Sequence, residues 1–508
     1  MTRSLLATVA VLALSADLAR AEYTLHVLHI NDFHSRIEPI NGSDSTCSAE
    51  QAAAGECFGG AARLAAKIAA LRAELQAAGQ NVIVLDAGDQ FQGSLIYTTY
   101  RGAVEAEMME RIGFDAMALG NHEFDDGPQG LADFLGKVTF PVISGNLDVS
   151  RSNILAGLVL NHVVLQVGGQ RIGILSALAT DTPETSSPGN EVIFQDDIDS
   201  LKADVAALEA EGVTKIIALT HLGYKRDREV AAAVAGVDAV VGGHSHTYLS
   251  ATDPGRAGPY PTWVTRGEGD LVPVVQAYAY SKYLGHLELT FDDAGRLVHA
   301  GGDTILLDAG VTPDPVIAAR VAELAGPIEA LKARVVAEAA APIDGSRETC
   351  RARECQMGNL VADAMLDRVK DQGVTIAIVN GGGLRASIDA GPVTMGEVLT
   401  VLPFQNTLST FEVTGAAVVA ALENGVSRIE DGAGRFAQVA GLSYTFDPAA
   451  RYRLVSNNYV RGGGDGFRMF VDAANAYDFG PDLADVTADY LAMMQPYTPV
   501  IDGRITRK

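Results

Sequence analysis

The chain has 508 residues, more than a single hydrophobic core usually organises, so we expect two domains. Because 48% of its residues are apolar and 20% are charged, the composition excludes a disordered protein. The net charge of −25 argues against binding to nucleic acid polymers, which requires a basic surface, but it allows a small phosphate compound held at a local positive site.

The N-terminus, residues 1–21, has the pattern of a secretory signal peptide. Arg3 supplies the positive start, residues 5–14 form a short apolar run, and Ala19-Arg20-Ala21 fits the small-x-small cleavage pattern. A membrane anchor is the alternative, but the run is too short to span a bilayer, and the C-terminus has no hydrophobic tail that a lipid anchor could replace. We therefore expect a secreted protein without a membrane anchor, most consistent with a bacterial periplasm.

The four cysteines form two local pairs, Cys47 with Cys57 and Cys350 with Cys355. Four cysteines allow three pairings, and closeness in sequence favours the local one. In an exported chain such pairs are more typical of disulfides than of zinc sites, with free buried thiols as the alternative.

The first half of the sequence alternates strand and helix patterns. Apolar residues recur at helical spacing from Leu64 to Leu75, and Gly79 then stops that helix. Runs typical of buried strands lie at residues 23–30, 81–85, 214–219 and 237–241. This alternation predicts a layered α/β domain over residues 22–313.

Residues 314–341 differ, because they are rich in Ala, Glu, Val and Leu. Asp314 is placed to cap a helix and Pro315 suits its first position, so we predict one long linker helix, kinked or interrupted near Pro327. A helix over residues 357–370 and a strand over 374–379 follow. They predict a second α/β domain over residues 342–508.

Residue types that bind metals follow five of the strand-like runs. In open α/β sheets, sites form beyond the carboxyl ends of the strands, so these residues are expected to converge in space. Five of the ten histidines fall in these motifs. The motifs are Asn31-Asp32-Phe33-His34, Asp86-Ala87-Gly88-Asp89, Gly120-Asn121-His122-Glu123-Phe124-Asp125, Thr220-His221 and Gly242-Gly243-His244-Ser245-His246.

Mixed imidazole, carboxylate and amide ligands favour zinc, manganese or iron over calcium. Two such ions, about 3.5–4 Å apart, can clamp an in-line displacement at phosphorus. Asp89 is placed to bridge them. We therefore expect two divalent metal ions, with zinc as the first candidate and manganese or another divalent ion as the alternative.

The second half contains candidate nucleotide contacts. Arg351 and Arg353 lie within the Cys350 to Cys355 loop, and a glycine-rich turn runs from Asn380 to Arg385. Arginine forks suit phosphate, and two aromatic residues from separate loops can sandwich a base. Phe404 and Tyr459 are the candidates for that role. The alternatives are a structural disulfide loop with solvated arginines, and aromatics that belong to the core.

The motif series, in this order, resembles the 5′-nucleotidase family, and most closely its ecto-5′-nucleotidases, over nearly the whole mature chain. The resemblance implies a four-layer α/β/β/α, calcineurin-like metallophosphatase domain followed by an α/β nucleotide-recognition domain. It implies one metal bound by Asp32, His34, Asp89 and His246, and a second bound by Asp89, Asn121, His221 and His244. It also implies a catalytic dyad of His122 and Asp125.

For the second domain, the resemblance implies phosphate or nearby polar contacts from Arg351 and Arg385, base recognition by Asn380, stacking by Phe404 and Tyr459, and ribose binding by Asp465. The segment at residues 446–452 looks shorter than the corresponding segment of the family. The resemblance therefore does not specify the sheet edge of the second domain or its dimerisation. We expect a monomer or a homodimer.

The function expected from the resemblance is hydrolysis of nucleoside 5′-monophosphates, with AMP as the first candidate substrate. Hydrolysis of UDP-sugars or nucleoside di- and triphosphates is an alternative, as are a 2′,3′-cyclic phosphodiesterase with 3′-nucleotidase activity and a sulfate-releasing thiohydrolase. The alternative that is not an enzyme is an exported nucleotide-binding protein.

Overall fold

The computed structural model describes residues 22–506 apart from 43, 45, 268, 405, 443–450 and 479. The predicted signal peptide over residues 1–21 lies outside the described residues, and so does most of the shortened segment at 446–452. The described chain contains an N-terminal α/β unit, one connecting helix and a C-terminal α/β unit.

The N-terminal unit is built from two six-stranded sheets and one short strand pair. Its strands are β1 Tyr23–Ile30, β2 Asn81–Asp86, β3 Ala116–Ala118, β4 Val142–Ile143, β5 Leu147–Asp148, β6 His162–Val167, β7 Gln170–Leu175, β8 Ile193–Phe194, β9 Ile216–Thr220, β10 Ala239–Gly242, β11 Thr262–Arg266, β12 Asp270–Val275, β13 Tyr283–Phe291 and β14 Leu297–Leu306. Its helices are α1 Ala49–Ala54, α2 Ala61–Ala77, α3 Leu95–Tyr100, α4 Ala103–Ile112, α5 Gly127–Leu135, α6 Thr182–Thr185, α7 Asp197–Ala210 and α8 Tyr224–Ala233.

Each large sheet has a parallel centre with antiparallel strands at its edge. The first sheet has the order β14-β13-β1-β2-β3-β4, in which β1 to β4 are parallel. The second has the order β11-β12-β10-β9-β7-β6, in which β7, β9, β10 and β12 are parallel. The parallel strands of each sheet therefore end at one edge, where the predicted ligands follow.

The two sheets pack face to face and helices cover their outer faces. Val27 and Leu289 of the first sheet meet Ile217 of the second in the core between them. On β1 the side chains alternate, so that Val27 enters this core while Leu28 packs under the helices. Helices α2, α4 and α5 cover the first sheet, and α7 and α8 cover the second. The predicted four-layer α/β/β/α arrangement is confirmed.

The connecting helix, α9 Pro315–Lys332, begins as predicted but ends early. Asp314 caps it by accepting hydrogen bonds from the backbone N–H groups of Val316 and Ile317, and the helix continues through Pro327. The prediction of helix up to residue 341 is wrong, because β15 Val335–Ala339 forms a strand. Pairing with a later strand and burial of alternate alanines outweigh the helix preference of this alanine-rich segment.

The C-terminal unit is a five-stranded mixed sheet with apolar cores on both faces. Its further strands are β16 Ile376–Asn380, β17 Gly391–Thr394, β18 Leu408–Thr414, β19 Ala437–Ala440, β20 Arg451–Asn457 and β21 Ala474–Tyr477, and its helices are α10 Arg347–Cys350, α11 Gln356–Val369, α12 Met395–Val401, α13 Gly415–Val426, α14 Asn458–Arg461 and α15 Leu483–Met493. The sheet order is β19-β16-β20-β18-β21, with β15 and β17 paired separately. The second α/β prediction is thus confirmed.

Within the described part of the chain, no helix combines the length and the apolar character needed to cross a bilayer.

The core between the two sheets should dominate the stability of the N-terminal unit. Leu289 is fully buried there, so Leu289→Ala is expected to lower the free energy of unfolding by about 3 kcal/mol. The matched control is Val298→Ala on the neighbouring strand β14, where Val298 is 55% exposed. Denaturant unfolding measures both variants. Equal, small losses would contradict the assignment of this core.

Candidate metal and nucleotide site

The predicted metal ligands lie just beyond the carboxyl ends of parallel strands from both sheets. Strands β1, β2 and β3 lead to the ligands on the side of the first sheet, and β9 and β10 lead to those on the side of the second. Because the sheets are stacked, the two sets face each other. The structure brings together all seven predicted ligand residues: Asp32, His34, Asp89, Asn121, His221, His244 and His246.

Three overlapping groups form this cluster. They are Asp32 with His34 and His246, His34 with Asp89 and His122, and Asp89 with His221 and His244. Within each group the potential ligand atoms lie within 4.8 Å of one another. Asn121 joins the third group, because its Oδ1 lies 2.9 Å from Nδ1 of His244. The groups share Asp89 and His34, so they form one continuous donor cluster.

The backbone at five of these positions adopts the left-handed region, which non-glycine residues rarely occupy. The φ angles are 50° at Asp32 and His34, 60° at Asp89, 73° at His244 and 52° at His246. Such conformations cost on the order of 1–3 kcal/mol each and persist where surrounding structure fixes them. Here the N–H of Asp32 donates to the carbonyl of Gly88, and that of His34 donates to the carbonyl of Asp89. This clustering of strain is typical of functional sites.

The histidine tautomers show that the cluster suits cations. Nδ1 of His34 lies 3.1 Å from the carbonyl of Phe91, and Nδ1 of His221 lies 2.6 Å from that of Ala87. In the neutral rings that can bind a cation, each Nδ1 therefore carries the proton, which leaves Nε2 as a lone pair directed into the site.

Of these two lone pairs, that of His221 lacks a protein donor in the described part of the chain, and that of His34 faces Nη2 of Arg385 at 3.2 Å. Nε2 of His221 is buried and has no hydrogen-bond partner among the described residues. Nε2 of His34 lies 3.0 Å from Nε2 of His246, an arrangement of two ring nitrogens that a shared cation would satisfy. The donor set therefore fits divalent ions.

Next to this cluster, His122 and Asp125 form the predicted pair, with Nδ1 of His122 2.6 Å from Oδ2 of Asp125. Burial lowers the pKa of His122, but the carboxylates of Asp125 and Asp89 outweigh burial and raise that pKa above 6.5. His122 is therefore held in a state that favours its protonated form.

Glu123, to which the sequence motifs assign no role, supports the same loop. Its carboxylate accepts hydrogen bonds from the N–H groups of Asp89, Gln90 and Gly120. It therefore fixes the turn that carries Asp89. The motif included this residue, but its partners Asp89 and Gln90 lie more than 30 positions away.

The six predicted nucleotide contacts line the same cavity as the metal cluster, and the volume of this cavity is about 1110 Å³. Nη2 of Arg385 lies 3.2 Å from Nε2 of His34. The Phe404 ring lies 5.8 Å from the His122 ring, with 28° between their planes. The C-terminal unit thus covers the metal cluster directly. The six residues are Arg351, Asn380, Arg385, Phe404, Tyr459 and Asp465.

Three of these residues form one hydrogen-bonded network. Nδ2 of Asn380 donates to Oδ2 of Asp465 at 2.6 Å, and Oδ1 of Asn380 accepts from Asn457 at 3.1 Å. The hydroxyl of Tyr459 accepts from the N–H of Asp465 at 3.1 Å. Burial raises the pKa of Asp465. The network holds an amide and a carboxylate together in the wall of the cavity.

A third arginine, which no sequence motif indicates, lies beside Arg351 and Arg385. Arg347 lies one turn before Arg351, lines the cavity, and lies within hydrogen-bond distance of the carbonyl of His244 at 3.4 Å. Burial, and then repulsion by neighbouring arginines, lower the pKa of both Arg347 and Arg351. Clustered cations that repel each other in a partly buried cavity indicate an anionic ligand. The i, i+4 spacing of Arg347 and Arg351 was the available signal.

Both local cysteine pairs are disulfides in the structure, Cys47 with Cys57 and Cys350 with Cys355. The second closes the loop that carries Arg351. Gln438 anchors this loop, because its Nε2 donates to the carbonyls of Cys350 and Arg353.

Two family descriptions match the chain. Residues 25–248 match the Calcineurin-like phosphoesterase family, and residues 335–451 match the 5′-nucleotidase C-terminal domain. The two matches fall on the two α/β units.

Relatives match over nearly the whole length. A 5′-nucleotidase of Diplobatis ommata is 38% identical, with 96% of this chain and 90% of that protein covered. A 5′-nucleotidase of Homo sapiens is 37% identical, with 97% and 93% covered. A solved structure described as a 5′-nucleotidase precursor from Thermus thermophilus is 41% identical, with a TM-score of 0.89 and with 95% of this chain and 99% of that chain covered.

Proposed function

Because this chain belongs to the 5′-nucleotidase family, we propose that it hydrolyses nucleoside 5′-monophosphates to nucleoside and phosphate, with AMP as the first substrate to test. The observation that carries this proposal is one cavity whose lining joins residues of the donor cluster to the three arginines and the two aromatic rings. One wall suits phosphate chemistry and the other suits a nucleoside.

We propose that one divalent ion is held by Asp32, His34, Asp89 and His246, and a second by Asp89, Asn121, His221 and His244. A bound pair of such ions supplies Lewis acidity and a nucleophilic water at neutral pH. The imidazole-rich donor set supports zinc as the first candidate, with manganese as the alternative.

The protein's own acid in this proposal is His122. Nδ1–H of His122 donates a hydrogen bond to Asp125. The Nε2–H of His122 therefore remains free to donate a hydrogen bond to a phosphoryl oxygen as negative charge develops there. The raised pKa of His122 favours the form of the imidazole that carries this proton. Asp125 therefore sets both the orientation and the charge of the imidazole.

We propose that Arg347, Arg351 and Arg385 bind the phosphate, and that Asn380 and Asp465 contact base and ribose. Phe404 and Tyr459 would stack on the base. Arginine forks match phosphate oxygens, and aromatic faces accept any base. Support comes from the position of all these residues in the lining of one cavity.

In this proposal each of the two units has a separate function. Residues 22–313 carry the metals and residues 342–508 read the nucleotide, with residues 314–341 between them. The Arg385–His34 and Phe404–His122 contacts cross from one unit to the other, as does the ion pair between Lys225 and Asp431. Turnover therefore requires the units to meet.

A second candidate activity is hydrolysis of nucleoside di- and triphosphates or UDP-sugars. The cavity of about 1110 Å³ is slightly larger than typical small-molecule sites, which measure about 300–1,000 Å³, so it leaves room for a longer phosphate chain or a sugar. We also propose secretion into a bacterial periplasm, supported by the two disulfides, which form in oxidising compartments.

Phosphate release from a substrate panel tests the proposal. The panel contains 5′-AMP, 3′-AMP, 2′,3′-cyclic AMP, ADP and a UDP-sugar, each assayed after chelation and after metal add-back. We expect 5′-AMP to be hydrolysed, activity to vanish on chelation, and zinc or manganese to restore it. Preferential hydrolysis of 3′-AMP or the cyclic nucleotide, or nucleotide binding without metal-dependent turnover, would contradict the proposal.

The role of His122 gives a separate prediction. His122→Ala is expected to keep two metal equivalents, because the proposed ligands remain, and to lose about 100-fold or more in kcat. Metal analysis and steady-state kinetics on the same preparation measure both. His286→Ala, on strand β13, is the control histidine. A rate close to that of the parent would remove His122 from the mechanism.

A further inference from the structure

Asp125 has two carboxylate oxygens with different partners. Oδ2 faces Nδ1 of His122 and also accepts a hydrogen bond from Nε2 of Gln92 at 3.1 Å. Oδ1 accepts from the hydroxyl of Ser186 at 2.6 Å. Because a carboxylate turns about its last side-chain bond, a bond to Oδ1 fixes the direction in which Oδ2 points. Ser186 lies 61 positions from Asp125 in sequence and belongs to none of the motifs.

A chain of hydrogen bonds connects Ser186 to the end of strand β9, which His221 follows. The N–H of Ser186 donates to the carbonyl of Thr182 at 2.8 Å, and the hydroxyl of Thr182 donates to the carbonyl of Ala179 at 2.7 Å. The N–H of Ala179 donates in turn to the carbonyl of His221 at 3.0 Å. The segment from Ala179 to Ser186 therefore connects the second sheet to Asp125 on the side of the first.

The nucleotide-recognition unit packs on this same segment. Arg428 forms an ion pair with Asp181, and α6 lies against the turn Gly464–Gly466, which carries Asp465. The position of Ser186 thus depends on a surface that the C-terminal unit covers.

We propose that Ser186 is a positioning residue of the His122–Asp125 dyad, and that docking of the nucleotide-recognition unit on residues 181–185 sets its position. This inference rests on the proposed function and extends it. Ser186 acts through Asp125, because its hydroxyl donates to Oδ1 of that residue. Its hydroxyl holds Asp125 in the orientation that presents His122 to the phosphoryl group.

Steady-state kinetics on the full, metal-loaded enzyme test this proposal with AMP and with p-nitrophenyl phosphate, which has no nucleoside. Ser186→Ala should lower kcat about 10-fold for both substrates, because a hydrogen bond to a charged group is lost, and should leave KM within about 2-fold. Ser186→Thr keeps the hydroxyl and should recover most of the rate. Ser187→Ala, at the neighbouring exposed position, is the matched control and should behave as the parent.

A double-mutant cycle separates positioning from a general structural effect. In an Asp125→Ala background, Ser186→Ala should change kcat by less than about 2-fold, because its partner is gone. Arg428→Ala should lower kcat in the parent by about 3-fold and should have no further effect in the Ser186→Ala variant. The first result tests the contact with Asp125, and the second tests the link to docking.

Four outcomes would overturn the proposal. They are a parent-like kcat for Ser186→Ala, a change confined to KM for AMP, an equal loss with and without Asp125, and additive effects of Arg428→Ala and Ser186→Ala. If the parent itself hydrolyses neither substrate, the proposed function fails and this inference falls with it. Active parent enzyme with an unaffected Ser186→Ala variant refutes the inference alone.

Discussion

The structure depends most on the buried carboxylate of Asp89, which lies between the two halves of the donor cluster. Its Oδ2 is 3.1 Å from Nε2 of His221 and 3.7 Å from Nε2 of His34, while its Oδ1 accepts from the N–H of His122. Burial alone would raise the pKa of Asp89, but the surrounding histidines, His221 first, hold that pKa well below 3.8. A buried negative charge therefore sits where both sheets end, and ligands from each sheet gather around it.

The C-terminal unit adds the opposite charge to the same place. Arg347 and Arg385 reach across to His244 and His34, and burial with mutual repulsion lowers the pKa of Arg347. An anionic substrate beside these arginines would relieve that repulsion, so it should stabilise the arrangement in which the units meet. Both units thus line the site. The segment from Asp181 to Ser186 contacts the C-terminal unit through Asp181 and contacts Asp125 through Ser186. It can therefore link nucleotide recognition to the dyad.

Much of the fold and of the donor cluster could be predicted from the sequence, because the ligand residues directly follow the strands. Apolar runs with ligand residues directly after them specify which side chains meet at a sheet edge, and Asp32 and His221 follow that rule. Other features depend on long-range partners. The segment at Val335 looked helical, yet it pairs with β17. The role proposed for Ser186 and the role of Glu123 depend on contacts with residues distant in sequence. A hydroxyl in a polar loop gives no sequence pattern that predicts such a contact.

The central claim is that one cluster around Asp89 holds two cations. Anomalous diffraction from crystals of the mature chain grown with Mn²⁺ tests it most directly. The account predicts two anomalous peaks per chain, about 3.5–4 Å apart, on either side of the Asp89 carboxylate, one beside His34 and one beside His221. A single peak, or peaks that lie away from Asp89, would contradict it.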